Sequence, residues 1–359
     1  MRVIQIMPTV SYGDAVGNDA RAICRVVGEM GYDSAIYAEN IDSRLSDSNI
    51  KKIKKLPSLK DDDIVIFNHS TGTELCYKLP ELGGRKMMIY HNITPPSFFE
   101  KYSEASRRLT EYGYEGTRYL SDKIDYVMAD SQYNADDLVN MGYKCPIDVR
   151  PILIPFDDYK KKPSAEITEK FSNDGYVNIV FVGRVAPNKK HEDIIASFAY
   201  YKKHINDKSR LILVGSWSGM DSYKQCLDNY VNALMLDDVI FTGHISFAEI
   251  LAYYQVADVF LCMSEHEGFC VPLIEAMFFK KPIIAFDASA VPNTLGGTGI
   301  LIKEKDPVFT AAVIDRLVND KRLYDSIVEK QSKRLEDFTY DKMRDVFVSC
   351  LNRFINKEI

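Results

Sequence analysis

The feature that most constrains this chain is a regular alternation between short apolar runs and segments with helical spacing. The apolar runs predict strands at Val3–Met7, Ser34–Tyr37, Ile64–Phe67, Met87–Tyr90, Tyr126–Ala129 and Ile147–Val149. Strands that alternate with helices form a parallel sheet covered by helices on both faces, and ligands bind at the carboxyl ends of its strands. We therefore expect an α/β fold with functional residues directly after the strands.

A single interruption of this alternation predicts two domains. Residues 150–164 contain Pro151, Pro155 and Pro163 together with a run of lysines, which is typical of a linker. A second alternation begins at Val177–Val182. At 359 residues the chain is also too long for one ordinary core. We therefore expect two Rossmann-like domains, at residues 1–155 and 165–337.

Composition and charge argue against several classes of protein. The net charge of -6 disfavours a nucleic-acid partner, which needs a basic surface. The 7 cysteines are scattered without metal-type spacing, as expected for reduced thiols in the cytoplasm. The first apolar run is too short for a signal peptide, and no run approaches the length of a membrane span. The basic run Lys51–Leu56 favours a solvated loop, with peripheral docking on the inner face of a membrane as the alternative.

The segment Ser264–Met277 combines the start of a helix with two carboxylates. A buried strand is predicted directly before it, and Pro272 suits the first turn of a helix because proline lacks an N–H group. The unpaired N–H groups at a helix start bind anions. The residues that offer them here are Gly268, Phe269, Cys270 and Val271. Glu267 and Glu275 flank this anion site, and carboxylates accept hydrogen bonds from sugar hydroxyls.

The segment therefore indicates a nucleotide-sugar, with its phosphates at the helix start. The transferred sugar would then contact Glu267, and the ribose would contact Glu275. An alternative stays open for Glu275, since acidic residues are common in first helical turns for reasons of the helix dipole alone.

Two cations follow the first strand of the second alternation. Arg184 comes directly after the strand, and Lys189 lies in the loop before the next helix. Such a pair can hold a diphosphate from two sides, arginine as a fork and lysine as a point charge. Two ordinary surface cations are the alternative.

Together these residues resemble the retaining glycosyltransferases of family four, known as glycosyl transferases group 1. The spacing of Glu267 and Glu275 matches the Glu-x7-Glu signature of the family, and Arg184 and Lys189 match its Gly-Arg…Lys pattern. The resemblance implies the GT-B fold, in which two Rossmann-like domains turn their parallel sheets toward a cleft. It also implies that the C-terminal helix, residues 340–359, crosses back onto the first domain. Arg184, Lys189 and Glu267 would then be catalytic.

The resemblance assigns three further places. Gly13 and Gly17 lie in the loop that approaches the donor phosphates, with an ordinary turn as the alternative; their spacing disfavours a nicotinamide cofactor. His91 follows a strand and matches a histidine that contacts the donor sugar near its reacting carbon, with a structural histidine as the alternative. The turn that presents its backbone to the nucleobase corresponds to Gly243, His244 and Ile245, and both GDP- and UDP-sugars remain open.

The predicted function is transfer of a hexose, with mannose favoured, to a saccharide or lipid-linked saccharide in surface polysaccharide synthesis. Two alternatives remain: another GT-B enzyme, such as a sugar-nucleotide epimerase or a small-sugar synthase, and a non-catalytic nucleotide-sugar-binding module. No Asp-x-Asp follows a predicted strand, and Asp61-Asp62-Asp63 precedes its strand. We therefore expect that neither a metal nor a cofactor is required.

Overall fold

The computed structural model describes residues 1–11 and 13–359. The strands, numbered along the chain, are β1 Arg2–Val10, β2 Asp33–Ile41, β3 Ile50–Lys52, β4 Ile64–His69, β5 Arg85–Tyr90, β6 Tyr126–Ala129, β7 Ile147–Val149, β8 Val177–Val182, β9 Ser209–Val214, β10 Val239–Phe241, β11 Val259–Cys262, β12 Ile283–Phe286 and β13 Ile300–Ile302. The helices are α1 Ala15–Glu29, α2 Leu75–Lys78, α3 Glu104–Tyr119, α4 Gln132–Asn140, α5 Phe156–Tyr159, α6 Ala165–Phe171, α7 His191–His204, α8 Asp221–Ala233, α9 Phe247–Val256, α10 Val271–Phe278, α11 Val291–Leu295, α12 Pro307–Asn319, α13 Lys321–Leu335 and α14 Tyr340–Ile355.

These elements form two compact units, each with one parallel sheet. The first unit comprises Met1–Pro96, Arg107–Phe156 and Phe338–Ile359, and the second comprises Ser97–Ser106 and Asp157–Asp337. The sheet orders are β3-β2-β1-β4-β5-β6-β7 and β10-β9-β8-β11-β12-β13. The predicted α/β fold class, with two parallel sheets, is confirmed.

The burial of the central strands explains why the apolar runs in the sequence predicted them. Every residue of β4, β6, β9 and β11 is buried. A parallel sheet is covered on both faces, so its strands require nearly continuous apolar runs rather than an alternating pattern. In each sheet the strand order reverses beside the first strand, between β1 and β4 and between β8 and β11. The carboxyl ends of the strands at such a reversal are where ligands bind in open α/β sheets.

Two short segments differ from the expectations. The prediction of a loop at Lys51–Leu56 is wrong. Ile50–Lys52 forms the edge strand β3, in which Lys51 pairs with Tyr37 of β2, and a 3₁₀ turn follows it. Its lysines are exposed, as suits an edge strand. Residues 97–106, expected in the first domain, group with the second unit, where Phe98 and Tyr102 pack against His266 and Tyr223.

The C-terminal helix α14 packs within the first unit. Phe347, Leu351 and Phe354 are buried. The Phe354 ring stacks on Tyr126 at 5.6 Å between centroids, and the Arg85 guanidinium lies 3.8 Å from the same ring. In the described part of the chain, no helix combines the length and apolar character needed to span a membrane.

Candidate functional site

The loop after β8 carries the two predicted cations. Arg184 is exposed, and its guanidinium donates a hydrogen bond to the Ser218 carbonyl at 3.1 Å. Lys189 ends a 3₁₀ turn, and Lys190 takes a left-handed conformation at φ 52° that leads into α7. The start of this loop lies close to the end of β9. A Cβ added to Gly215, which follows β9, would lie 2.1 Å from the Gly183 carbonyl oxygen.

The loop after β11 carries the predicted anion site and is fixed by neighbouring backbone. The Glu265 amide donates to the Asn188 carbonyl at 2.9 Å, and the Asn188 side chain donates to the His266 carbonyl at 3.0 Å. The Glu267 amide donates to the Ser289 hydroxyl at 2.8 Å. Helix α10 then begins with a proline in its first turn, as predicted from Pro272. These contacts hold the loops after β8 and β11 together at the strand reversal.

Lys189 and Glu267 form an ion pair across these two loops. The Lys189 ammonium lies 2.6 Å from a Glu267 carboxylate oxygen, and the two side chains are 20% and 8% exposed. Burial lowers the pKa of Lys189, but the Glu267 carboxylate and two nearby thiols raise it by more, so the net pKa lies above its ordinary value. The lysine therefore remains a cation in a poorly hydrated place, where its charge acts strongly.

Glu275 lies on α10 with partners of its own. Its two carboxylate oxygens accept hydrogen bonds from the Tyr159 hydroxyl at 2.8 Å and the Tyr254 hydroxyl at 2.6 Å. Burial raises the pKa of Glu275, and the two tyrosine hydroxyls offset this only in part. No local pattern in the sequence marks these two tyrosines, because α5 and α9 approach the carboxylate only in the folded second unit.

The predicted nucleobase turn, Gly243 to Ile245, follows β10. Gly243 has φ 72° and forms an isolated antiparallel bridge with Gly215. A Cβ added to Gly243 would lie 3.3 Å from the ring of Trp217, the single tryptophan of the chain. The positive φ and the close ring both favour glycine at this position.

Direct contact thus joins two of the four residues of the signature motifs. Lys189 and Glu267 are in direct contact, whereas Arg184 contacts Ser218 and Glu275 contacts the two tyrosines. Gly268 and Phe269 lead into α10, Cys270 is its N-cap in a left-handed conformation, and Val271 is its first residue.

In the first unit, His91 is part of a buried charged network at the strand ends. Its Nδ1 lies 2.7 Å from the Asp130 carboxylate, and its Nε2 lies 3.4 Å from the Asn68 side-chain oxygen. The fully buried Arg150 donates two hydrogen bonds to Asp19, at 2.8 and 2.7 Å, and lies 3.6 Å from Asp130. Burial lowers the pKa of His91, and Asp130 raises it by more, so the net pKa is raised.

This network alters the expectations for single residues. The His91 side chain is 1% exposed with both ring nitrogens engaged, an arrangement that holds the imidazole in place. Arg150 lies at the start of the proline-containing segment 150–164, but its guanidinium is fully buried against Asp19 within the first unit. No local signal in the sequence marks such a pair, whose members are 131 residues apart.

The two glycines of the first loop have different environments. Gly13 is exposed at φ 76°. Gly17 lies in the first turn of α1, where its amide donates to the Asp14 carboxylate at 3.1 Å. A Cβ added to Gly17 would lie 2.9 Å from the Ser11 carbonyl oxygen, so close packing explains this glycine.

Among the residues that the structure describes, one group could hold a metal ion. The Sγ atoms of Cys262 and Cys270 and a carboxylate oxygen of Glu267 lie within 4.8 Å of one another, and all three residues are buried. Their spacing in the sequence had suggested no metal site.

Residues 164–334 match the family model of the glycosyl transferases group 1. An uncharacterized glycosyltransferase of Methanocaldococcus jannaschii is 26% identical over 296 residues, which are 80% of this chain and 73% of that protein. The CapM glycosyltransferase of capsular polysaccharide biosynthesis from Staphylococcus aureus is 28% identical over 52% of this chain and 49% of its own. A GDP-mannose-dependent alpha-mannosyltransferase of Mycolicibacterium smegmatis is 32% identical over 45% of this chain and 41% of its own.

Solved structures share the fold over nearly the whole chain. A sucrose-phosphate synthase of Thermosynechococcus elongatus has a TM-score of 0.78 at 16% identity and covers 99% of this chain and 100% of its own. Anabaena HepE in complex with UDP-glucose has a TM-score of 0.77 at 15% identity and covers 98% of this chain and 100% of its own. The match is therefore to the GT-B architecture.

Proposed function

Because this chain is a glycosyltransferase that belongs to the glycosyl transferases group 1, we propose that it transfers a hexose from a nucleoside-diphosphate sugar with retention of configuration. The observation that carries the proposal is the ion pair of Lys189 and Glu267, which joins the loops after β8 and β11 at the strand reversal of the second unit. A cation at this place can neutralise a departing diphosphate, and a carboxylate can hold a sugar hydroxyl.

The residues of the second unit supply what the reaction needs. As the bond between sugar and diphosphate breaks, negative charge grows on the leaving phosphate. Lys189, Arg184 and the N–H groups that lead into α10 are preorganised partners for that charge. Glu267 positions the sugar, and the donor phosphate takes the proton of the acceptor hydroxyl during attack from the same face. Glu275 binds the ribose hydroxyls.

For the donor, we propose a GDP- or UDP-hexose, with GDP-mannose as the first to be tested. The GDP-mannose-dependent relative aligns over 169 residues at 32% identity, which supports this order. The backbone of Gly243, His244 and Ile245 would contact the base. Trp217 beside Gly243 provides a fluorescence signal for binding, since it is the only tryptophan.

For the acceptor, we propose a saccharide or a lipid-linked saccharide in surface polysaccharide synthesis, and the capsular relative supports this class. In the first unit, Gly13, Gly17 and His91 keep their proposed roles in ligand contact. We propose a cytoplasmic location, which the 7 free cysteines support, with exposed lysines of β3 as the candidate contact with an anionic membrane. We propose that transfer requires no metal.

The test measures turnover of a panel of nucleoside-diphosphate hexoses in the presence of a chelator. Each donor is assayed without acceptor, with monosaccharides and with lipid-linked saccharides. We expect acceptor-dependent release of the nucleoside diphosphate. Isomerised donor without acceptor would favour an epimerase, and Trp217 fluorescence quenching by donors without turnover would favour a binding module.

The matched variants are Lys189→Met and Lys190→Met. Lys190 is the neighbouring cation and pairs with Glu192 and Glu265 rather than with Glu267. We expect Lys189→Met to lower kcat about a hundredfold or more, as when one oxyanion-stabilising donor is removed. Equal losses in the two variants, or none, would contradict the proposal.

A further inference from the structure

Two buried thiols lie at the two ends of the loop that carries Glu267. Cys262 is the last residue of β11, and Cys270 is the N-cap of α10. Cys262, Cys270 and Glu267 are 0%, 5% and 7% exposed. The loop between them therefore brings a carboxylate back onto a pair of thiols, and the three ligand atoms lie within 4.8 Å of one another.

The backbone at Cys270 is unusual for a residue with a side chain. Its φ and ψ are 70° and 64°, a left-handed conformation that favours glycine. Glycine would adopt this conformation with less strain. The cysteine at this position instead directs a thiol toward Cys262. This conformation is an observation independent of the clustering of the three ligand atoms.

The carboxylate of this cluster is paired with a cation. The Lys189 ammonium lies 2.6 Å from a carboxylate oxygen of Glu267. Two sulfur ligands and one oxygen ligand suit a thiophilic cation.

We propose that Cys262, Cys270 and Glu267 form a binding site for a zinc-class cation, such as Zn²⁺ or Cd²⁺. Binding releases the two thiol protons to solvent and places the metal among two thiolates and one carboxylate. A water molecule completes the tetrahedron, and the Lys189 ammonium moves away from the carboxylate. No electron transfer is involved. The consequence for catalysis rests on the proposed function: a metal bound here removes Glu267 from Lys189 and inhibits transfer.

The test measures binding rather than activity, so its outcome does not depend on the proposed function. The full chain, kept reduced and free of metal, is titrated with Co²⁺, whose thiolate complexes absorb in the near ultraviolet, and then with Zn²⁺. We expect a single equivalent of Co²⁺ with thiolate-to-metal absorption, which Zn²⁺ abolishes.

Three variants and one control make the test specific to this cluster. We expect Cys262→Ser and Cys270→Gly to weaken Co²⁺ binding by about a hundredfold or more, and Lys189→Met to strengthen it because a competing cation is lost. Cys270→Gly should stay folded, since glycine suits φ 70°, and a thermal melt checks this. The control is Cys145→Ser, a half-buried thiol of the first unit, which should bind like the unaltered chain.

Two results would overturn the proposal. The first is the absence of thiolate-to-metal absorption in the unaltered protein. The second is the same absorption at unchanged affinity in both folded variants of Cys262 and Cys270, which would assign the metal to other thiols.

Discussion

At the scale of single residues, the carboxylate of Glu275 depends on the two tyrosines that hold it. The hydroxyls of Tyr159 and Tyr254 each donate to one of its oxygens, so the side chain is oriented before any ligand binds. An oriented acceptor loses less entropy on binding than a mobile one. If Glu275 binds the ribose as proposed, this contact affects donor affinity more than the chemical step.

We expect Tyr254→Phe to raise the KM for the donor about fivefold with little change in kcat, since one hydrogen bond contributes roughly 1 kcal/mol. The matched control is Tyr253→Phe on the same helix, whose ring packs against Phe171. Steady-state kinetics of both variants are the measurement. A fall in kcat at unchanged KM would show that the hydroxyl acts on the transition state instead.

The pair of His91 and Asp130 predicts a dependence of stability on pH. The folded pKa of His91 is raised above its ordinary value of 6.5, so the stability from this pair is fully present below pH 6.5 and is lost as the pH rises through the folded pKa. His69, His191 and His266 have lowered pKa values, and their effect on stability is confined to lower pH.

We therefore expect the free energy of unfolding to fall between pH 6.5 and mildly alkaline pH in the unaltered chain, and to fall less in Asp130→Asn. Urea unfolding across this range measures it. A parallel decline in both proteins would assign the titration to other groups. The control is Glu265→Gln. The partners of Glu265, Lys190 and Lys305, lie in the second unit, so this variant should show the same pH dependence as the unaltered chain.

At the scale of elements, helix α3 is held against the segment before α2 by glycines that leave no room for side chains. A Cβ added to Gly72 would lie 2.1 Å from the Leu109 carbonyl oxygen, and one added to Gly113 would lie 2.9 Å from the Gly72 nitrogen. The three atoms nearest the Cβ added to Gly72 all belong to backbone, which cannot turn away as a flexible side chain can. The helix position is therefore set by backbone contact.

We expect Gly72→Ala to destabilise the first unit by about 1–3 kcal/mol or more, because the added methyl forces the helix outward. Gly28→Ala is the matched control: the position is exposed on α1, nothing lies within 4 Å of an added Cβ, and a gain of roughly 0.5–1 kcal/mol is expected. Denaturant unfolding compares them. Equal stability of the two variants would argue against the close contact.

At the scale of the whole chain, the first unit is completed by its most distant segment. Arg353 of α14 lies 3.0 Å from Asp148 of β7, a contact 205 residues apart in sequence. Phe354 is fully buried between Tyr126 and Arg85. The C-terminal helix therefore supplies part of the core of a unit whose other residues precede Asp157.

We expect Phe354→Ala to cost about 3–5 kcal/mol, the range for removing a buried phenylalanine. Phe309→Ala is the control of the same residue type, 56% exposed at the start of α12, and should change stability by less than about 0.5 kcal/mol. Hydrogen exchange of β5 and β6 localises the effect. Faster exchange confined to the second unit would contradict the assignment of α14.

The sequence by itself determined the fold class and the location of the candidate site. Buried parallel strands require continuous apolar runs, and a helix start requires its own turn chemistry, so both are visible over short windows. For this reason the sequence predicted the strands β8 and β11. It also predicted the site residues after their ends: Arg184, Lys189, Glu267 and Pro272.

The tertiary structure alone decided which side chains meet. The pairs Arg150–Asp19 and Tyr159–Glu275 join segments that are far apart in the sequence, and no local pattern in either segment indicates its partner. The packing of distant elements decides whether a carboxylate is buried and which donor or cation pairs with it. The reason is that desolvation and Coulomb interaction act through space rather than along the chain.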